Sequence, residues 1–544
     1  MGQVTPISSA AFELAKLANG GEYHEVSFQK GTRFTSPEQA QQILEFTKVA
    51  LKTDVTDDLV KADVLSKAVT ISTGLLAYDL RAPSLLFSPT ITPVRNSLKR
   101  TLRPSPGNAA NWKVINGLTN TPNYMAWVPE GRRAASITYS VTNAAATYAS
   151  MGTEDGLTDE AKFGAVGFED EEALVQMRSL YKLMQIEECS LLHGNANLTI
   201  AAPATPTLAA AGSGATLPAA TYSVICVALS AMGFLNATQT GTLALLTPQS
   251  ITSNDGQGTF TLNGGSSAKS AAATQAVTLG QTLSCTTSLP TGAVAYAWFV
   301  GTAGSEKLEK ITTINSATFS APLAGTGQAA TAITADWSKN STAYDGLQTL
   351  AYINSSQSYI QTLSTGTAGA GTQLTATGSG EVSEIRNMLK TMWDTYRLSI
   401  TKLYVSSQEL VSITKLVLAG GSAPLVRLNT TGGNTGPGDV KYTAGAVVGW
   451  YFNAFTADGG RYIPIILHPN MIAGTIFGYA ENLPATYMSN ETPTVAELLV
   501  RQDYYVEKWA RTSRAQNYGT YCQTVPAVYA PFALAVITNI APTT

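Results

Sequence analysis

Residues 201–339 hold only eight charged side chains, four of each sign, in a chain of 544 residues whose charged fraction is itself only 13 %. That fraction is about half the usual ~25 %. Pro203 and Pro206 open the segment. Tyr222 to Leu229 reads as an alternating run and is followed by Gly233. Thr259 to Leu262, Ala295 to Val300 and Lys310 to Phe319 are further short apolar runs, with turn signals between them. Short strands, no helices and regular punctuation predict one all-β sandwich over 201–343. The flanks do not share this character, so the chain is expected to be an α+β fold interrupted by an all-β insert.

The flank before the insert divides in two. Residues 1–85 read as an extended N-terminal arm with one or two helices, the first capped by Ser36 with Pro37 at its first position. Residues 86–200 read as a loop and a domain. Asn111 to Ile115 alternates, and Tyr124 to Val128 follows after the turn-prone Thr119 to Asn123. Two such runs predict a long hairpin. Ala135 to Tyr148 is rich in Thr, Tyr and Val and predicts another strand. Over 168–193 the spacing predicts a helix. Glu169 to Glu172 occupy its first turn, where the dipole favours anions. Leu174, Met177, Tyr181, Met184 and Leu191 recur at helical spacing, and Gly194 ends it.

After the insert, Glu381 to Tyr396 predicts a helix with Val382, Ile385, Met388, Leu389 and Met392 inward. Lys402 to Val405 predicts a buried strand. Ser406 to Glu409 resembles a capping box opening a helix over Leu410 to Leu418. Gly432 to Gly438 reads as a flexible loop. Val447 to Phe455, Tyr462 to Leu467, Glu497 to Trp509 and Ala533 to Ile540 read as strands, with a gap between the last two. The segments 344–480 and 481–544 are taken as two further units.

In this order the flanks resemble the major capsid protein family of tailed bacteriophages over about 400 residues. Phe87 to Arg95 leads into what would be the family's extended loop, and Trp127 to Gly131 closes it. Glu169 to Gly194 looks like its spine helix. The strand and capped helix around Val405 to Ser407 look like its axial domain. Leu499 to Tyr505, followed by Tyr529 to Ala533, looks like the closing strands of its peripheral domain. The resemblance implies a shell subunit that assembles as pentamers and hexamers, with a scaffolding protein, a portal and a decoration protein as partners. It implies a virion location, assembly in the bacterial cytoplasm, and a shell that encloses DNA without sequence-specific binding. The insert is extra and resembles immunoglobulin-like or fibronectin-like modules. Some family members crosslink through a lysine near the loop tip. Here Glu130 is followed by Gly131, Arg132 and Arg133, which argues against that chemistry.

A net charge of -3 and no long Lys/Arg run speak against a nucleic-acid binder. Cys189, Cys226, Cys285 and Cys522 have no CxxC spacing and read as free buried thiols. The opening residues lack a basic region followed by an apolar run, so no signal peptide is expected. No apolar stretch reaches the ~20 residues that span a bilayer. His24, His193 and His468 lie far apart without metal-ligand spacing, and His193 is read as a favourable charge at a helix C-terminus. No P-loop, GxSxG or dinucleotide fingerprint occurs. No enzyme, cofactor or metal is expected. Arg95, Lys99, Arg100 and Arg103 form a basic cluster, open between DNA, an acidic group on a neighbouring subunit and a solvated strand edge. Trp112, Trp127, Glu130, Arg132, Arg133, Arg95 and Arg100 are the expected assembly contacts. A surface or tail-associated adhesin, binding through the β-insert, is the alternative function.

Overall fold

The computed structural model describes residues 91–543, except 104–106, 119–126, 134–138, 166–169, 239–245, 257, 379, 421–448, 458, 484–493 and 512. The expected arm over 1–85 and the loop Gly432 to Gly438 lie outside these residues.

Two sheets carry the flanks. The first has four strands. Lys99–Leu102 runs parallel to Ala496–Lys508, which pairs antiparallel with Ala515–Val528, which pairs antiparallel with Ala149–Thr158. Ala515–Val528 is a strand where the sequence pattern predicts a gap. It was obscured by Gly519, Pro526 and a run of Asn, Gln and Thr, yet Tyr518, Cys522 and Val525 are buried on it. The second sheet has six strands, ordered Tyr359–Thr362, Leu534–Thr538, Ile476–Tyr479, Lys402–Val405, Arg461–Leu467 and Trp450–Asn453. Leu534–Thr538 and Ile476–Tyr479 are buried throughout, as expected for central strands covered on both faces. The helix Ser383–Tyr396 adds Ile385, Met388, Leu389 and Met392 to the same cluster, as the sequence predicts. One continuous core joins both sheets.

The long helix runs Glu171–His193, with the Asp170 carboxylate accepting the Glu172 and Ala173 N–H groups at its start. It lies against Ala149–Thr158 and Ala515–Val528. Its buried stripe is Val175, Ser179, Leu183, Glu187, Glu188, Leu191 and Leu192. The expected stripe was rotated from this one, since Met177 and Tyr181 are exposed. The helix turns polar groups inward because the facing strand offers them partners. Ser179 Oγ donates to the Thr153 carbonyl at 3.1 Å, and Thr153 Oγ1 donates to the Ser179 carbonyl at 3.0 Å.

The hairpin is real, but its return strand differs from the expected one. Ala109–Leu118 pairs with Tyr139–Thr147, the Thr/Val-rich run, whose β-propensity outweighs a Trp127–Val128 run that ends on Pro129, which cannot donate to a ladder. Tyr124 to Ala126 lie outside the described residues.

Within 201–343, Thr207–Ala211, Thr282–Thr286 and Ser316–Phe319 form a three-stranded antiparallel sheet. Ala220–Leu229, Ala273–Val277, Ala295–Gly301 and Lys307–Thr312 form a four-stranded antiparallel sheet. The two share a buried cluster containing Val224, Cys226, Leu283, Cys285, Trp298 and Phe319. The other face of the four-stranded sheet is buried too, through Ile225, Val227, Leu229, Ala297 and Phe299. Tyr222 to Leu229 is therefore a run covered on both faces, not a half-exposed one. The covering includes a helix, Ala231–Thr238, that the sequence reading did not expect.

Candidate functional site

The C-terminal half of the long helix carries two adjacent carboxylates that are fully buried, Glu187 and Glu188. Burying a carboxylate without partners is very costly, so what surrounds them matters. Glu187 faces Arg95 and Arg100. Arg95 Nε lies 3.0 Å from Oε2 and Arg100 Nη1 lies 3.0 Å from Oε1. The Tyr504 hydroxyl also donates to Glu187. Both guanidinium groups stand over the Tyr504 ring, 5.2 and 4.8 Å from its centroid. Arg100 Nη2 reaches Asp503 at 2.7 Å. Burial alone would lower the Arg100 guanidinium, but Glu187, Tyr504 and Asp503 raise it above its ordinary value. Burial and Glu187 together push the Tyr504 hydroxyl up, which keeps its proton in place as a donor.

Glu188 ties three elements together. Its carboxylate accepts the backbone N–H of Val94 at 2.8 Å and of Arg95 at 2.7 Å, the open donors at the start of the short helix Pro93–Ser97. It also meets His468 Nε2 at 2.7 Å. His468 Nδ1 accepts the Asn470 N–H at 3.1 Å, so the ring proton sits on Nε2 and donates to Glu188. His193, one helical turn further on, donates from Nε2 to the Asn470 carbonyl at 2.8 Å. Burial pushes His193 down to about 4. It is therefore neutral, and the expectation of a charged residue complementing the helix C-terminus is overturned by desolvation.

The basic cluster is thus divided by the fold. Arg95 and Arg100 are engaged by carboxylates of their own chain. Lys99 reaches Glu497 at 3.4 Å from an exposed position. The backbone N–H of Arg103 donates to the Val500 carbonyl.

The remaining expected contacts lie on the hairpin. Trp112 is half-buried at its root, with Nε1 donating to the Val528 carbonyl at 3.0 Å, and the Ile115 N–H donates to Tyr529 O at 2.7 Å. Trp127 is 90 % exposed. Glu130, Arg132 and Arg133 beside it are also exposed, around Gly131 at φ +76°. The hairpin is therefore anchored at its root, and Trp127, in the sequence between its two strands, offers its indole to solvent.

A second buried joint was not visible in the sequence. Asn539, in left-handed backbone at φ +63°, accepts the Asn315 N–H at 2.9 Å and donates to the Leu363 carbonyl at 2.8 Å. Asn315 Nδ2 donates to Thr287 O at 2.6 Å and Thr365 Oγ1 at 2.9 Å. Asn315 belongs to the 201–343 segment and Asn539 to the six-stranded sheet's end, so the two are locked by neutral hydrogen bonds.

Among the described residues no group of three or more His, Cys, Asp or Glu is placed to hold a metal, and no helix is long and apolar enough to cross a membrane. Glu187 and Glu188 carried one signal in the sequence: they fall on the Leu183 to Leu191 stripe, where a solvated helix face would not put them. Of their partners, Arg95 and Arg100 stand out as a basic cluster, whereas Tyr504 and His468 carry no signal that connects them to the helix.

No protein-family model matches the chain, and no curated protein does. Among solved structures the chain is similar to one of Mycobacterium phage Bobi, at 8 % identity and a TM-score of 0.37, covering 88 % of this chain and 98 % of that one. It is similar to the capsid of the cyanophage P-SCSP1u and to the SrpI encapsulin of Synechococcus elongatus, each at 9 % identity, with TM-scores of 0.32 and 0.33. These cover 83 % and 86 % of this chain, and 89 % and 98 % of the other. They are distant likenesses, and the functional reading rests on the geometry of the chain itself.

Proposed function

We propose that this chain is a non-enzymatic shell subunit, the major capsid protein of a tailed phage, which assembles as pentamers and hexamers around double-stranded DNA. One observation carries the reading. The hairpin is fixed at its root by Trp112 and Ile115, yet it presents Trp127, Val128, Arg132 and Arg133 to solvent. A buried anchor beneath an exposed indole suits a loop whose partner is another subunit, because aromatic and Arg side chains dominate interface energies. The rest of the chain supplies what such a loop needs: a long helix clamped to the loop's base through Glu187 and Glu188. A net charge of -3 fits a container that does not grip nucleic acid.

Residues 201–343 are read as an immunoglobulin-like sandwich displayed on the shell's outer face. Its entering and leaving segments lie side by side, with Asn340 N–H donating to Asn195 O at 2.8 Å and Gly346 N–H to Gly194 O at 2.9 Å. Adjacent termini suit a domain inserted at a surface. A scaffolding protein, a portal and a decoration protein are the partners this function needs, with assembly in the host cytoplasm and the virion as destination.

Negative-stain microscopy of the chain co-expressed with its scaffold tests the reading. Closed shells of uniform diameter with surface knobs are expected. Trp127→Ala should reduce shell yield at least tenfold while leaving the melting temperature of the free chain unchanged. Persistent monomers at high concentration with scaffold present would move the reading to an adhesin that binds through the insert.

A further inference from the structure

The 201–343 segment places two cysteines and one tryptophan in a particular relation. Cys226 and Trp298 face each other across neighbouring strands of the four-stranded sheet, and both enter the core shared with the three-stranded sheet. Cys285 enters that core from the opposite side, on Thr282–Thr286. The chain then passes from Cys285 directly into the strand that bears Trp298. In immunoglobulin domains a buried tryptophan on one strand packs against a disulfide joining its sheet neighbour to the strand that precedes it in the other sheet. The same relation holds here in space, although the Cys226 strand comes earlier in this chain. Tyr222, near the start of the Cys226 strand, donates its hydroxyl back to the Pro218 carbonyl at 2.8 Å. Ala317 and Leu208 flank Cys285 in register.

Both thiols are free. Burial, and then the neighbouring Cys285, push Cys226 well above its ordinary value, and burial pushes Cys285 up to about 12. They are therefore inert thiols while the segment stays closed. The other two cysteines are placed elsewhere. Cys189 lies on the long helix with its Sγ 3.6 Å from Met232 Sδ, and Cys522 lies on the four-stranded sheet of the flanks.

We infer that Cys226 and Cys285 form an inter-sheet redox staple, reduced while the chain is made and closed to a disulfide by a low-molecular-weight disulfide in an oxidising medium. This rests on the sandwich reading of 201–343. The chemistry is thiol–disulfide exchange. On transient opening, one cysteine loses its proton to water and its thiolate attacks the small disulfide, releasing one small thiolate. The second cysteine, likewise deprotonated, attacks the mixed disulfide and releases the other. Two protein thiols are oxidised and one small disulfide is reduced to two thiols.

The test uses the full chain. The reduced native protein is first exposed to a maleimide, with and without denaturant. Cys226 and Cys285 should be protected in the native state and labelled when unfolded. A second sample is incubated with oxidised glutathione in sub-denaturing urea, blocked, digested without reduction and analysed by mass spectrometry. A linked peptide pair containing Cys226 and Cys285, lighter by two hydrogens, is expected. The oxidised chain should melt several degrees above the reduced chain, and dithiothreitol should reverse the shift. Cys285→Ala should remove both effects. Separate glutathione adducts on the two cysteines, or recovery of both as free thiols, would overturn the staple while native protection leaves the sandwich standing. Rapid native labelling of both would overturn the sandwich and the staple together.

Discussion

The long helix carries the same constellation twice, once in water and once out of it. Near its start, Glu172 accepts from the Tyr518 hydroxyl and pairs with Lys162 at 2.9 Å and Lys508 at 3.4 Å, with Lys508 standing 5.5 Å from the Tyr518 ring centre. Near its end, Glu187 accepts from the Tyr504 hydroxyl and pairs with Arg95 and Arg100, which stand over the Tyr504 ring. Each centres on one carboxylate of the helix, one tyrosine and two cations, with Asp503 added at the Glu187 end. The Glu172 side chain is 30 % exposed, and that of Glu187 is 0 %. The cations differ accordingly. Lysine, a strongly hydrated point charge, serves the wet end, and arginine, planar and more weakly hydrated, serves the dry one. The difference teaches that contact geometry alone does not rank these sites. What ranks them is whether water can replace a lost partner.

The comparison breaks most visibly at Glu187. Glu187→Ala leaves the half-buried guanidinium groups of Arg95 and Arg100 without their main partner; removing one side of a fully buried pair costs about 3–5 kcal/mol, and the loss here should approach that range. Urea unfolding of the full chain should show this as a lower midpoint with an unchanged slope. A loss no larger than that of Glu172→Ala would show that water already reaches Glu187.

The buried end of the helix also sets an acid limit. His193 is held down at about 4 by burial, whereas the unfolded side chain titrates near 6.5. Between those values the unfolded chain binds a proton that the folded chain refuses, so stability falls as pH falls from about 6.5 to 4. The full effect is about 3 kcal/mol. His193→Gln, which can still donate to the Asn470 carbonyl, should flatten that limb of the stability–pH curve. An unchanged limb would place the acid sensitivity elsewhere.

The Asn315–Asn539 joint asks whether burial matters without charge. Asn539→Gly keeps the left-handed backbone and removes the hydrogen bonds, which should cost about 1–3 kcal/mol. Asn539→Ala should cost about 1 kcal/mol more, because alanine at φ +63° is strained. Equal losses for the two variants would mean that the backbone relaxes.

These sites also show what the sequence could and could not reveal. The helix Ser383–Tyr396 was legible because its apolar residues recur on one face of a helix with a charged back. The long helix was legible as an element but not as a face, because Ser179, Glu187 and Glu188 are polar residues made core-facing by partners distant in the chain. Ala515–Val528 was missed because half its residues are small or polar and its burial comes from the long helix across it. The hairpin's return strand was misassigned because two β-prone runs competed and register is a long-range decision. Arg95 and Arg100 could be read as a cluster, but whether they face solvent, DNA or their own chain depends on Glu187 and Asp503, which no local pattern connects to them.

The smallest expected effect is at Glu172, and it tests the wet half of the comparison. The Tyr518 hydroxyl and Lys162 hold this carboxyl at about 2, well below the usual carboxylate range. A depressed carboxyl stabilises the fold above its unfolded value, near 4.3, and that contribution is lost as pH falls from there toward 2. Solvent and salt screen an exposed cluster, so the contribution should lie near the resolution of a melting experiment. Glu172→Gln should therefore track the wild-type melt closely at pH 7, with any small gap closing below about pH 4.3 and shrinking in 1 M salt. A large, salt-insensitive loss would mean that Glu172 is shielded from water like Glu187, and the contrast between the two ends of the helix would disappear.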